Sequence, residues 1–423
     1  MDKWYKLDHA GKLFPAVTNN VNTFTFRVSM ILNSTVVPTI LQQALDTVME
    51  RFPMMAVKLN DGVFWRFLSG NENRLLIQEE TTYPCAPITP KENNGYLLRV
   101  LYYGQKISVE IFHAITDGTG AVEFLKTLMF QYLNLIGEKI DDDEGLILSP
   151  ESFSSRSEAK DSFDTYYASA DKVGEQKRKA YHIQGLRFVP YGHNVIHGLV
   201  SASEFCSIAK QNGVTLTAYF AALLISAIHS SRLSDEYHKP IVIAIPVNLR
   251  KIFVSNSLRN FFTVVNIGLE VTDDMAFTDI LAEVSKQLKE RTTKTYLKKA
   301  ITESMKYEKN LASRFVPVAL KELAIRYGFY HLGENLKTIT LTNIGNIKLP
   351  QSMTHHIEAM EATIYPTNKS SINCAVCSVN DRLVITFARN IMESEIIREF
   401  FHLLASKSGL EVQIMSNNWG MRL

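Results

Sequence analysis

Three residues near the end of the first quarter of the chain could together move a proton. His113, Asp117 and Gly118 lie in SVEIFHAITDGTGAVEF, residues 108–124, where an alternating apolar pattern gives way to an amphipathic one. Imidazole titrates near neutral pH, so a histidine can take up or release a proton under ordinary conditions. The spacing places a candidate general base and a carboxylate together, and it predicts acid–base chemistry at this junction.

The flanking segments must position these groups. Residues 96–113, YLLRVLYYGQKISVEIFH, form two β-rich runs around Gly104 and Gln105, which predicts a β-hairpin with a type II′ turn. Residues 119–137, TGAVEFLKTLMFQYLNLIG, repeat apolar side chains at helical spacing and end on Gly137, a residue that commonly follows a helix. The histidine is therefore expected at a strand end, with the aspartate just before a helix.

Strand alternation supports a competing interpretation of His113. Residues two apart share a face, so His113 shares one with Ile107, Val109 and Ile111. A histidine in such surroundings is most often packed in a core. The adjacent aspartate and glycine favour the catalytic interpretation, as does the lack of a G-x-S-x-G, P-loop, H-E-x-x-H or G-x-G-x-x-G motif elsewhere.

The composition is that of an ordinary globular protein. The 423 residues predict two or three domains, and a net charge of +2 is too balanced to indicate a nucleic-acid partner. Four cysteines in so long a chain do not make a disulfide framework. No signal peptide is recognised, and the longest apolar run, residues 218–228, is far short of the ~20 residues that span a bilayer. We expect a cytoplasmic protein.

The pattern of elements predicts an α+β protein in two parts. Strand-like and helix-like segments are mixed in both halves of the chain. Between them, residues 141–187 are acidic and serine-rich, and we interpret them as a connector that lies mostly on the surface. We place the first lobe at residues 1–170 and the second at residues 171–423.

Other constellations do not predict a metal or redox site. In CAVC, residues 374–377, a strand directs the two sulfurs to opposite faces, so core cysteines are expected. The histidines of HNVIH, residues 193–197, and of HH, residues 355–356, lack the glutamate and helical context of a zinc protease. The basic stretch at residues 286–299 is interpreted as a solvated helix face, with contact to CoA phosphates or a carrier-protein helix as the alternative.

The histidine stretch also has a familiar form. HAITDG resembles the H-x-x-x-D-G signature of the CoA-dependent acyltransferase superfamily, which includes chloramphenicol acetyltransferase, condensation domains, wax ester synthases and alcohol acetyltransferases. Further segments occur in the order typical of bacterial alcohol acetyltransferase-like proteins, and the resemblance covers essentially the whole chain. These segments are FPAV (14–17), RFP (51–53), PVNLRKIF (246–253), SLRNFF (257–262) and TLTNIGNIKLP (340–350).

This resemblance implies two chloramphenicol-acetyltransferase-like lobes with an active-site tunnel between them. The first lobe, residues 1–170, would carry the motif, and residues 171–423 would form the second. His113 would be the general base in the transfer of an acyl group, such as acetyl, from a CoA thioester to an alcohol or amine. Acyl-CoA would be a co-substrate, with no permanently bound cofactor.

The resemblance also assigns roles to the neighbouring residues. Asp117 would form a structural ion pair with Arg250, although a loop-capping aspartate is the simpler alternative. Gly118 would permit close backbone approach or a positive φ, unless it is an ordinary turn glycine. Thr342 and Asn343 are candidate donors to the oxyanion or residues of the tunnel, and the alternative is that they merely end a strand.

Departures from the family pattern leave other functions open. Many relatives carry H-H-x-x-x-D-G, whereas Phe112 takes the first position here. The D-F-G-W-G motif of the plant members is absent. A non-catalytic protein that binds an acyl ligand or a partner is one alternative. A stand-alone condensation enzyme, which would use an acyl carrier protein as its thioester partner, is another.

Overall fold

A computed structural model describes residues 4–167, 178–232, 236–309 and 315–417 of the chain. The strands are β1 (Trp4–Lys6), β2 (Thr25–Leu32), β3 (Val57–Asp61), β4 (Arg66–Gly70), β5 (Gln78–Glu79), β6 (Leu98–Tyr103), β7 (Lys106–Phe112), β8 (Asn194–Ser201), β9 (Ile241–Asn248), β10 (Phe262–Leu269), β11 (Ile339–Asn346), β12 (Ile357–Thr363), β13 (Ile372–Val379), β14 (Arg382–Arg389) and β15 (Gln413–Ser416). The helices are α1 (Leu13–Val17), α2 (Pro38–Arg51), α3 (Gly118–Leu135), α4 (Phe163–Tyr166), α5 (Ala202–Gln211), α6 (Leu216–Ser231), α7 (Phe277–Arg291), α8 (Lys294–Lys309), α9 (Val318–Gly328), α10 (Gln351–Thr354) and α11 (Glu395–Ser408).

The first half of the chain builds most of a five-stranded sheet, in the order β12-β2-β7-β6-β5. Its apolar residues pack with those of α2 and α3 in one continuous core. A small three-stranded sheet, β1-β4-β3, accompanies it. This half carries His113 at the end of β7 and presents α3 directly after it.

The predicted hairpin and its helix are confirmed. Tyr103 pairs with Lys106 across the turn, and Gly104 has a φ of 56°, as the first central residue of a type II′ turn requires. Helix α3 ends at Leu135, and Gly137 follows with a φ of 99°. A positive φ is readily accessible only to glycine, so this residue ends the helix as expected.

The second half forms a seven-stranded sheet in the order β10-β9-β11-β13-β14-β8-β15. Helix α6 is apolar around almost its whole circumference because it lies between the sheet and its neighbouring helices α7 and α11. Thr215 caps this helix by accepting a hydrogen bond from the Ala218 backbone N–H. Its buried side chains belong to a second core.

The two sheets share one stretch of chain. After β11 in the seven-stranded sheet, β12 crosses to the five-stranded sheet and pairs with β2, from Ile357 opposite Leu32 to Thr363 opposite Arg27. The next strand, β13, returns to the larger sheet. The predicted lobe boundary at residue 170 lies outside the described residues, and it stays a prediction. Strand β12 shows that residues beyond this boundary complete the first sheet.

The connector is less superficial than its composition predicted. Glu158 forms an ion pair with Arg51 at 2.8 Å, and its carbonyl accepts a hydrogen bond from the Leu258 backbone N–H at 2.8 Å. Phe163, in α4, is buried in the second core. The two Glu158 contacts are made through a backbone carbonyl and a salt bridge, which leave no apolar periodicity in the sequence.

No single helix in the described parts of the chain has both the length and the apolar character needed to cross a membrane, although α5 and α6, bent by 83°, meet the length and composition test as a pair.

Candidate active site

His113 lies where the two halves of the chain meet. Its backbone N–H donates to the carbonyl of Phe24 at 2.9 Å, which continues the pairing of β7 with the first sheet. The partly buried imidazole stacks on Phe14 in α1, with ring centroids 4.5 Å apart and planes 15° apart. Phe26 and Phe262 flank it at 4.7 and 5.4 Å. Since Phe262 begins β10, the face that carries His113 meets the second half across packed side chains.

The imidazole has a polar partner that also comes from the second half. Nδ1 of His113 lies 3.0 Å from Oδ1 of Asn260, and Asn260 Nδ2 donates to the His113 carbonyl at 3.0 Å. The same Nδ2 lies 3.2 and 3.3 Å from the two carboxylate oxygens of Asp8. Asp8 in turn accepts from the Gly11 backbone N–H at 2.6 Å and faces Arg259 at 3.3 Å. A chain of contacts thus runs from a buried carboxylate to the imidazole.

Asp117 makes both of the contacts that were considered for it. As the N-cap of α3, its Oδ1 accepts from the backbone N–H groups of Thr119 and Gly120. Its Oδ2 forms an ion pair with Arg250 at 2.8 Å, and both side chains are about nine-tenths buried. The structure therefore contains the contact that the resemblance implied between these two residues. The capping alternative is equally present, because the two oxygens serve different partners.

This ion pair shapes a segment of the second half, residues 257–261. The guanidinium of Arg250 donates to the backbone carbonyls of Ser257, at 2.6 Å, and of Arg259. The Phe261 N–H donates to Asp117 Oδ2 at 2.8 Å. Asn260 lies inside this segment. Asp117 and Arg250 therefore help to position the residue that contacts the imidazole.

The close backbone approach considered for Gly118 is found at Gly120, two residues after the motif. Gly118 does not have a positive φ, and a Cβ added there would meet only Cδ1 of Ile344, at 4.0 Å. At Gly120, by contrast, an added Cβ would overlap both the Thr116 hydroxyl and the Leu258 carbonyl. The close backbone approach expected of Gly118 is therefore made at Gly120. Gly120 is confined because the first turn of α3, and not its first residue, abuts the other half.

The candidate oxyanion donors lie on β11. The Asn343 amide donates to the Thr217 hydroxyl at 3.0 Å, and its oxygen accepts from the Gly345 N–H at 2.9 Å. The strand pairing with β13 shifts between Asn343 and Gly345. The intervening Ile344 is the residue that reaches Gly118. Thr342 precedes them, partly buried. The end of β11 thus lies near the motif loop, and the assignment of these residues to the oxyanion stays a prediction.

The surroundings of His113 favour its neutral form. Burial lowers the pKa of the imidazole below its ordinary value of 6.5, and the charge of Asp117 and the hydrogen bond to Asn260 partly oppose this effect. A neutral imidazole at physiological pH can accept a proton, which is the state that a general base needs.

The cysteines behave as the strand pattern predicted. Cys374 packs in the second core, whereas Cys377 packs in the first, so the two sulfurs lie on opposite faces of β13. Burial raises the pKa of both thiols. Within the described ranges, no group of three or more His, Cys, Asp or Glu side chains is placed to hold a metal ion.

Sequence reasoning missed Asn260, Asp8 and Phe14 as neighbours of the imidazole. Two of them fall in segments that carry the family resemblance: Phe14 opens FPAV, and Asn260 lies in SLRNFF. The signal available in the sequence was that these segments carry the family resemblance together with HAITDG. Asp8 had none, because it lies in no motif and its partner is 252 residues away.

Comparison with known proteins establishes the fold. No family model and no curated protein matches the sequence. Polyketide synthase associated protein 5 from Mycobacterium tuberculosis is 14% identical, with 96% of this chain and 98% of that chain covered and a TM-score of 0.62. The TRI3 trichothecene 15-O-acetyltransferase from Fusarium sporotrichioides is 12% identical, with coverage of 96% and 94% and a TM-score of 0.59.

A third similar structure is the starter condensation domain of rhizomide synthetase RzmA, solved with C8-CoA and Leu-SNAC. It is 11% identical, with coverage of 96% of this chain and 94% of that one and a TM-score of 0.60. At such low identities the likeness shows the fold, and it extends over nearly the whole of both chains. The predicted α+β fold of chloramphenicol acetyltransferase-like proteins and condensation domains is thereby confirmed.

Proposed function

We propose that this protein transfers an acyl group from a CoA thioester to an alcohol or amine acceptor, with His113 as the general base. One observation carries the proposal. A partly accessible imidazole lies where the two halves meet, with its pKa lowered by burial and one nitrogen held by Asn260, in a fold shared with a protein named as an acetyltransferase. The tunnel that would bring the substrates to this point is part of the proposal.

In the proposed reaction His113 first takes up a proton and later returns it. The unprotonated ring nitrogen of His113 takes the proton from the acceptor O–H or N–H as the acceptor atom attacks the thioester carbonyl. The tetrahedral intermediate then collapses, the C–S bond breaks, and the imidazolium returns its proton to the departing CoA thiolate. The products are an ester or amide and free CoA. Thr342 and Asn343 are the proposed donors to the transient oxyanion.

The surroundings suggest which acceptors to try first. Three phenylalanine rings, Phe14, Phe26 and Phe262, flank the imidazole. Apolar alcohols match such a lining, since burial of their carbon atoms is favourable at about 25 cal/mol per Å². The donor can also be an acyl group on a carrier protein. In that case the exposed face of α7, where the Lys286 side chain is 66% exposed, is a proposed docking region.

A non-catalytic binding protein is the second candidate, and the ring packing around His113 is the observation that favours it. Histidines embedded among aromatic rings also occur as structural core residues. The difference between the two candidates is whether acyl transfer depends on this imidazole.

The test is incubation with acetyl-CoA and a panel of apolar alcohols and amines, with the release of free thiol followed over time. We expect release by the wild-type protein, and a loss of roughly 10²–10⁴-fold in His113→Ala. The variant must first show an unchanged circular dichroism spectrum. Wild-type-like turnover in folded His113→Ala would exclude His113 as the base. A lack of transfer to every acceptor, from acetyl-CoA and from acetyl-carrier protein, would favour the binding protein.

A further inference from the structure

We infer that Asn260, itself held by Asp8, fixes His113 in the tautomer that carries its proton on Nδ1, so that Nε2 is left as the proton acceptor. In this view Asn260 and Asp8 are positioning residues. Their catalytic meaning rests on the proposed function, whereas the tautomer itself rests on contacts in the protein without substrate.

The chemistry of its neighbours determines the orientation of the Asn260 amide. Nδ2 faces the carboxylate of Asp8 and the backbone carbonyl of His113, at 3.0–3.3 Å. A carboxylate and a carbonyl can only accept hydrogen bonds, and the amide NH₂ is the only donating end of an asparagine side chain. The reversed amide would place its oxygen against three acceptor atoms. The NH₂ group therefore points at Asp8, and Oδ1 points at the imidazole.

The orientation of the amide favours one tautomer, and the backbone carbonyls of His113 and Thr116 also face the ring as acceptors. Oδ1 of Asn260 can only accept, and it lies 3.0 Å from Nδ1 of His113. A favourable contact at that distance requires a proton on Nδ1. In a neutral imidazole only one nitrogen is protonated, so Nε2 keeps its lone pair. The other tautomer would place two lone pairs against each other and would present a donor where a general base needs an acceptor.

This arrangement has little freedom to change. Asp8 and Asn260 are both fully buried. Asp8 is fixed by the Gly11 N–H at 2.6 Å, and its Oδ2 lies 3.3 Å from the Asn260 backbone N–H. The Asp117–Arg250 pair holds the segment that carries Asn260. Because the side chains of Asp8 and Asn260 are already buried and hydrogen-bonded, they lose little further conformational entropy when substrate binds.

The charges around Asp8 are consistent with its role as an acceptor. Burial raises the pKa of Asp8 to about 6, with Arg259 opposing the shift and Asp161 adding to it. At neutral pH the ionised form therefore predominates, and both of its oxygens accept. The charged group that raises the pKa of His113 is Asp117, which is itself paired with Arg250.

The first experiment uses the unaltered protein without substrate. ¹⁵N spectra of protein labelled at histidine distinguish an N–H nitrogen from an unprotonated one, and a His113→Gln sample identifies the His113 signals. We expect the proton on Nδ1 and an unprotonated Nε2 at pH 7.5. A proton on Nε2 would overturn the inference. This result does not depend on whether any acceptor is turned over, so it is separable from failure of the proposed function.

The second experiment alters the acceptor. In Asn260→Ala the imidazole loses the bond that favours its N–H at Nδ1, so both tautomers become populated. We expect kcat to fall about tenfold, the scale of one hydrogen bond, with the KM for acetyl-CoA unchanged. The bond to Asn260 raises the pKa of His113, so its removal should move the acid limb of kcat/KM to lower pH.

An exchange variant should move the same limb in the opposite direction. In Asp8→Asn/Asn260→Asp a carboxylate accepts directly from Nδ1, and the new asparagine can donate to it. A negative charge beside the imidazole stabilises its protonated form, so the acid limb should move to higher pH. Equal pH profiles in the wild type, Asn260→Ala and the exchange variant would contradict the positioning role.

Asn93→Ala is the matched control. Asn93 is also a buried asparagine, and it donates to two backbone carbonyls, those of Tyr96 and Leu98. Its loss should destabilise the fold without changing the His113 nitrogen signals or the acid limb. If Asn260→Ala fails to fold, the wild-type spectrum and the exchange variant still decide the question.

Discussion

Two buried clusters of charge in this protein are each centred on one carboxylate, but they stabilise different parts of the molecule. The sheet cluster consists of Glu110 with Arg27 and Arg99, at 2.7 and 2.5 Å. The junction cluster consists of Asp117 with Arg250, together with the backbone of residues 257–261 that they hold. The sheet cluster links neighbouring strands of one sheet. The junction cluster links the first half of the chain to the second and positions Asn260 against His113.

The difference between the clusters lies in their geometry. Glu110 is directly opposite Arg27 on β2 and Arg99 on β6, so the pairing register of three strands already brings these side chains together. Asp117 and Arg250 are 133 residues apart and belong to different halves. The cluster within the sheet is expected to affect only the stability of the fold. The cluster at the junction is expected to affect both the stability and the geometry of the site. Variants should therefore separate the two effects.

The largest expected loss of stability follows from the sheet cluster. In Glu110→Gln the buried Arg99 guanidinium loses its counter-charge, whereas Arg27 keeps its ion pair with Glu80 at 2.6 Å, and the free energy of unfolding should fall by about 3–5 kcal/mol. Chemical denaturation followed by tryptophan fluorescence measures this change. The His113-dependent kcat of the remaining folded protein should be unchanged. Asp61→Asn is the control, because its ion pair with Arg66 is exposed and should contribute less than about 1 kcal/mol.

Glu110 also predicts how stability depends on pH. Burial acts to raise the pKa of Glu110, but Arg27 and Arg99 outweigh it, so that the pKa lies below its ordinary value of 4.5. A carboxyl group with a lowered folded-state pKa contributes stability above its unfolded pKa and loses it as the pH falls. The wild-type protein should therefore lose stability below about pH 4.5, and Glu110→Gln should lose less over the same range. A parallel loss in both proteins would argue against this role.

The junction cluster should lose activity together with stability. Asp117→Ala strands Arg250 and removes the cap of α3, so we expect a loss of about 3–5 kcal/mol in the free energy of unfolding. The released segment 257–261 no longer holds Asn260 in place, so kcat per folded molecule should also fall. Asp117→Asn keeps a good N-cap but removes the charge, so its free energy of unfolding should lie between those of the wild type and Asp117→Ala. If Asp117→Ala unfolds at the wild-type denaturant concentration, the ion pair does not stabilise this junction.

Gly118, in the motif, and Gly120, two residues later, give a smaller and more local contrast. Gly120→Ala places a methyl group against the Leu258 carbonyl and should destabilise the protein by about 1–3 kcal/mol, with a loss of activity. Gly118→Ala meets only Ile344 at 4.0 Å and should change stability by no more than about 0.5 kcal/mol. Thermal unfolding of the two variants side by side measures this difference. An unstable Gly118→Ala with a stable Gly120→Ala would contradict the described contacts.

The smallest expected effect is on the pH dependence of the wild-type protein. Because burial lowers the pKa of His113, the neutral imidazole persists below pH 6.5. The value of kcat/KM should therefore be level near neutral pH and decline only in a limb whose apparent pKa is below 6.5. Initial rates between pH 5 and pH 8, with stability checked at each pH, would show this limb. An apparent pKa above 7 would mean that a different group limits the reaction.

The local pattern of the sequence determined the elements and the motif. Period-2 and helical apolar spacing identified the hairpin, α3 and its terminal glycine, and strand alternation separated the two sulfurs of CAVC. These features follow from interactions between residues close in the chain. The α+β class and the two mixed halves were predictable for the same reason. The arginine partner of Asp117 was reached only through the resemblance to a family.

The tertiary structure alone decided what surrounds the imidazole. Asp8, Phe14 and Asn260 come from distant segments, and their side chains meet His113 only after two sheets and a crossing strand have assembled. It also decided that Gly120 and not Gly118 is confined, because the confining carbonyl belongs to Leu258, in the other half. Spacing along the chain records the periodicity of a helix or strand. It does not record which buried donors and acceptors find each other across more than a hundred residues, because that depends on how whole elements pack.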